Sequence, residues 1–185
     1  MSTTKITGTG LGLPTADAAT LGGPSNEWAD LYLAEGGVIH FGNDQDVLLT
    51  HNPDVGLFLK SIATTDNNPV ILTLQTGETD MAADDVIGKI AFQAPDEGTG
   101  TDAILISAAI QARSEQDFSA SVNKTSLDFM VGSSEAAATK MTLNSTGNLL
   151  ISDGTSSLPS LTNTGDLNTG IYFPAADTVG VVAGG

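Results

Sequence analysis

From Gly36 onward the chain places a turn signal roughly every eight to twelve residues, and the runs between carry Val, Ile, Leu, Phe and Thr. Spacing this short leaves no room for the helical crossovers that parallel strands need, so it favours antiparallel strands. Residues 37–42 and 46–51 read as a hairpin about Asn43, Asp44 and Gln45, which sets His40 opposite Leu48. Asn52, Pro53 and Asp54 make a second turn into a strand over 56–60. A polar turn over 64–69 leads to a strand over 70–76. Ile90, Phe92 and Ala94 then alternate with Lys89, Ala91 and Gln93, and residues 103–113, 127–131, 141–143 and 149–151 continue the pattern.

The material for a core is thin. Nine aromatic side chains serve 185 residues. The strand over 103–113 has Ile104, Ile106, Ala108, Ile110 and Ala112 on one face, while Leu105, Ser107, Ala109 and Gln111 on the other are small or apolar. Such a strand needs cover on both sides. A single thin sheet does not supply it, so part of the buried area is expected between chains. Small residues such as Ala108, Ala109 and Ala112 suit close approach at a three-fold axis.

Outside this region the pattern loosens. Gly8, Gly10, Gly12, Pro14, Gly22, Gly23 and Pro24 punctuate residues 1–26 too often for a regular element, which makes them an extended arm. Residues 25–33, holding Trp28, Leu31 and Tyr32, read either as a short helix capped by Ser25 or as an irregular strand. The tail after Ser152 has apolar patches at 171–173 and 179–182, and its uncharged end looks unfinished inside a β pattern. The chain thus divides into an N-terminal arm and anchoring segment (1–34), a hairpin module (35–76), a central β domain (77–152) and a C-terminal β module (153–185).

Composition removes functions. With 6 basic against 22 acidic residues, the formal charge is −16, which leaves no basic surface for phosphates and argues against nucleic-acid binding. The absence of cysteine excludes disulfides, thiolate metal sites and a thiol nucleophile. No apolar run reaches the roughly 18 residues that span a bilayer, so membrane insertion is not expected, and the N-terminus does not read as a signal peptide. At 40% hydrophobic and 15% charged, the chain is also unlike acidic disordered sequences.

The segments 26–33 and 37–47, and the block from Asp85 to Ile104, resemble fibre and appendage proteins of tailed phages that infect marine bacteria. The shared order is a Gly-x-Ile-x-Phe strand (Gly88 to Phe92), an Ile/Ala-rich strand (Ile104 to Ala112) and Leu-x-Phe (Leu127 to Phe129). A Lys-Met-x-Leu strand (Lys140 to Leu143) and a Gly147-Asn148 turn follow, with a further module from Asn168 to Pro174. The likeness spans roughly residues 25–185 and rests on β modules, not catalytic signatures. It implies a mainly β, elongated homotrimer with intertwined short antiparallel strands, located in the virion and assembled in the host bacterial cytoplasm. It implies a shaft or connector that supports host attachment, with other virion proteins of tail, collar or capsid and a host surface glycan as further partners. A head-fibre or capsid-decorating protein is the nearest variant. A fragment of a polysaccharide-depolymerising tailspike, or a bacterial adhesin, belongs to a different class.

The candidate chemistry is weak beside the structural readings. His40 and His51 read as ordinary strand-end histidines, although three symmetry-related copies of either would offer metal ligands on an axis. Asp44, Asp46, Asp84, Asp85, Asp96, Glu97 and Asp102 read as solvated turn acids, with Ca²⁺ or glycan hydrolysis as the sharper alternatives. Asn43 to Asp46 lacks the central Gly and the twelfth-position Glu of an EF-hand, where Val55 stands. Gly8, Gly10 and Gly12 follow no strand and precede Pro14, unlike a dinucleotide loop. Asn123 and Asn144 match the glycosylation pattern by chance. No enzyme activity, metal or cofactor is expected. Two groups carry the interaction reading: Trp28, Leu31, Tyr32 and Phe41 as a docking patch or local core, and Ile90, Phe92, Ile104, Ile106, Ala108, Ile110, Leu127 and Phe129 as the trimer core.

Overall fold

A computed structural model of the chain describes residues 24–25, 27, 29–42, 44–94 and 102–184; the arm over 1–23, Trp28, Asn43 and the loop acids Asp96 and Glu97 lie outside them. Among the described residues there is no helix, and every strand pairing is antiparallel. The chain separates into two compact units, Met1–Leu72 and Thr73–Gly185.

The first unit holds one three-stranded sheet: β1 (Val38–Phe41), β2 (Val47–Asn52) and β3 (Gly56–Ser61), in that order. The β1–β2 hairpin forms in the expected register, with His40 opposite Leu48. Its turn uses Gly42 at φ 80° and Gln45 at φ 53°, the left-handed values a tight reversal requires. The expected turn at Asn52 to Asp54 also forms, with the Val55 N–H donating to the Asn52 carbonyl at 3.1 Å. Period-two alternation places Ile39, Phe41, Val47, Leu49, Leu57 and Leu59 on one face.

Two expectations fail in this part of the chain. Leu31, Tyr32 and Leu33 lie in neither helix nor strand. A stretch of nine residues is too short to hold a helix without packing, and the chain instead turns at once, the Gly37 N–H donating to the Ala34 carbonyl at 2.8 Å. Residues 70–76 form no strand either. Their sequence is strand-like, but among the described residues no backbone hydrogen bond involves residues 69–77.

The second unit carries two sheets. A five-stranded meander runs β4 (Val86–Gln93), β5 (Ile106–Ser114), β6 (Thr125–Val131), β7 (Ala138–Leu143) and β8 (Leu149–Ile151). A smaller sheet has the order β11 (Thr178–Val182), β10 (Asp166–Ala175), β9 (Leu161–Asn163). The β7–β8 turn is built on Gly147 at φ 83° and on the Asn144 side chain, which accepts from the Asn148 N–H at 2.8 Å. The strand expected from residue 103 starts only at Ile106. Asp102 initiates a turn there, its carbonyl accepting from the Leu105 N–H at 3.2 Å, and this leaves Ile104 outside the ladder.

Candidate functional site

Register decides which side chains share a face of the five-stranded sheet. One row runs Gly88, Ala112, Leu127, Leu143, Leu149; the next runs Ile90, Ile110, Phe129, Met141, Ile151; a third runs Phe92, Ala108, Val131, Ala138. The three rows contain no polar side chain. Leu74 stands over Gly88, where a Cβ would come within 2.8 Å of the Leu74 Cβ, so glycine is required at that point. The rest of the face is open. Ile90, Phe92, Leu127, Val131, Leu143 and Leu149 are 38 to 55% exposed.

Six of the eight residues expected at a trimer core lie in these rows: Ile90, Phe92, Ala108, Ile110, Leu127 and Phe129. Ile106 pairs with Gln93 beyond a register shift, and Ile104 sits in the turn before β5. The alternation of short apolar strands made the face legible in the sequence.

The opposite face contradicts its sequence reading. Residues 107, 109 and 111 were expected to give a second apolar surface in need of cover, yet Gln111 and Ala109 are already buried in the single chain. Gln111, Asp128 and Thr142 align in one row, with Arg113 and Ser126 in the next. The Asp128 carboxylate is 0% exposed. It accepts from Arg113 Nε at 2.9 Å, Gln111 Nε2 at 3.3 Å and Thr142 Oγ1 at 2.8 Å. Arg113 also reaches Asp84 through Nη1 at 2.6 Å. Burial pushes the Asp128 carboxyl upward, but the Arg113, Thr142 and Gln111 donors outweigh it and hold it below the usual carboxylate range. Among the described residues no buried side-chain polar atom lacks a partner. This network escaped the sequence reading because its members come from separate strands. The one available signal was that Gln111 and Arg113, like Ser126 and Asp128, are spaced two apart inside otherwise apolar strands.

The other candidate groups are scattered. Leu31 and Phe41 are exposed and Tyr32 is 89% exposed, so these three do not form the local core that was the alternative to docking. His40 lies in a row with Leu48 and Lys60. His51 Nδ1 accepts from the Gly36 N–H at 3.4 Å. Among the described residues no three His, Asp or Glu side chains converge as a metal site. Asp84 and Asp85 serve local roles, Asp84 pairing with Arg113 and Asp85 accepting from the Ala82 N–H at 2.6 Å. Asp102, beside Ser107 and Glu135, lines a shallow pocket of about 290 Å³. The chain matches no protein-family model, no curated protein and no solved structure.

Proposed function

We propose that the chain is a non-enzymatic structural protein of a phage virion, a homotrimeric tail-fibre or appendage component in a shaft or connector position. The observation that carries this reading is the apolar face of the five-stranded sheet. Taking roughly 180 Å² for a fully exposed large side chain, its six half-exposed residues present about 500 Å² of apolar surface. A standard interface buries about 800 Å² per partner, a little over half of it apolar, so this face alone supplies the apolar part of one such contact. Monomers rarely expose contiguous apolar patches above a few hundred Å².

The partner this reading assigns is the chain itself. Among the described residues the buried apolar ones are only Ala109 and Pro159, so the fold is short of core and needs cover from a partner present whenever it folds. Sister copies meet that condition. The face also carries no carboxylate, so copies of a chain with charge −16 approach there without direct repulsion.

Light scattering on the purified protein tests the reading. The expected mass is three times 18.8 kDa. A stable folded monomer at micromolar concentration overturns it. A glycan-release assay separates a fibre from a depolymerase, and turnover that disappears when loop acids are replaced would favour the depolymerase. Antibody labelling of intact particles then assigns tail, collar or head.

A further inference from the structure

The stretch from Val70 to Thr76 joins two units that each form sheets, yet it joins neither sheet. Its composition, Val-Ile-Leu-Thr-Leu-Gln-Thr, is that of a strand, with four large apolar residues, no charge, no glycine and no proline. Val70, Ile71, Leu72 and Leu74 are all exposed, Ile71 to 74%. Among the described residues no backbone N–H or C=O from 69 to 77 has a backbone partner. An apolar segment whose backbone groups have no backbone partner among the described residues is what a sheet edge recruits.

The chain also presents an edge that fits it. β4 is an edge strand but has register shifts at both ends. β8 and β9 are three residues long, and the β10–β11 ladder is broken by a shift. Bulged and short edges resist pairing. β3 is different. It runs six residues in unbroken register against β2 and, among the described residues, has no neighbour on its other side. Leu57 and Phe58, which point to opposite faces, are both exposed. Its one charged residue is Lys60, so neither the edge nor the segment brings a carboxylate into the contact.

We infer that residues 70–76 of one copy add as a fourth strand to the free edge of β3 in a second copy of this chain. This rests on the self-assembling reading above and goes further by naming the segment and the edge that exchange. The contact would convert unpaired backbone groups into ladder hydrogen bonds and would link copies independently of the apolar face of the larger sheet.

The absence of cysteine makes the test clean. Two chains with different tags are co-expressed, one carrying Ile71→Cys and the other Leu57→Cys, Phe58→Cys or Leu59→Cys, and oxidised. A disulfide joining the two tagged chains at one β3 position is expected; no disulfide between them, with linkage forming only inside a control chain that carries Ile71→Cys together with the β3 cysteine, overturns the inference. In parallel, Leu72→Pro removes an N–H that has no partner among the described residues, so the circular dichroism of the protomer should be unchanged while the oligomer weakens at least tenfold in dissociation concentration. If wild type and Leu72→Pro associate equally and no cross-link forms, strand exchange falls and self-assembly stands. If the wild-type chain is monomeric, both fall. Growth of open-ended aggregates in place of a fixed oligomer also overturns the exchange.

Discussion

Asp128 shows how far a single residue departs from its sequence reading. The run Leu127 to Val131 alternates, which correctly sets Leu127 and Phe129 on one face and Asp128 on the other. Alternation does not reveal that the second face is closed over the carboxylate. Burial arises from Gln111, Arg113 and Thr142, which reach Asp128 only once three strands are in register. Asp128→Ala leaves Arg113 with Asp84 as its partner but strips the buried Gln111 and the part-buried Thr142 of their acceptor. It should therefore destabilise the chain by about 1–3 kcal/mol, read from the urea midpoint at constant slope. The pH dependence has a definite sign. The folded carboxyl titrates below its unfolded counterpart, so in the window between them the unfolded chain binds more protons. The stabilisation is full above about pH 4 and is lost as pH falls through the lower folded value. Asp128→Asn should flatten that acid limb relative to wild type; an unchanged slope would remove Asp128 from the set of groups responsible.

At the level of elements, hairpins were legible and connections were not. The β1–β2 register followed from turn chemistry at Gly42 to Gln45, because a hairpin is fixed by what lies between its strands. The strand expected over 70–76 had equally good composition and a turn at Asp66 and Asn67 before it, but no described strand pairs with it, and a strand exists only through its partner. Leu31, Tyr32 and Leu33 form neither element for the related reason that all three are exposed, so no packed face holds them. The β7–β8 turn offers a test of local chemistry. The Asn144 side chain accepts from the backbone N–H groups of Thr146 and Asn148 at 3.1 and 2.8 Å, and Gly147 holds the left-handed position. Asn144→Ala should cost about 1–2 kcal/mol through the loss of these two hydrogen bonds and of a third from Thr146 Oγ1, seen as a lower thermal midpoint. The adjoining Ser145 donates to Glu115 and holds that carboxyl below its usual range. Carbon-13 NMR titration should find the Glu115 pKa returning upward in Ser145→Ala.

For the whole molecule, apolar attraction and charge repulsion would act together on the proposed assembly and respond oppositely to solution conditions. The apolar rows through Ile90 and Phe92 would favour association, and placing charge on them should weaken it. Ile90→Asp and Phe92→Asp, combined with Leu72→Pro to remove the exchanged strand, should leave a monomer whose thermal midpoint no longer rises with protein concentration, as mass action requires of an oligomer that unfolds on dissociation. Copies carrying −16 each repel at every separation within a screening length. That length falls from about 10 Å at 0.1 M salt to about 3 Å at 1 M. An assembly held by surface ion pairs weakens over this range, whereas one held by apolar faces against net repulsion strengthens. The ion pairs available to this chain are few, with six basic residues in all and Arg113 already engaged within the protomer. Sedimentation at rising sodium chloride should therefore show the dissociation concentration falling by at least tenfold between 0.05 and 1 M (about 1.4 kcal/mol of tighter association). The direction discriminates the two modes of contact: weakening with salt would place the contact on charged groups and away from the apolar face.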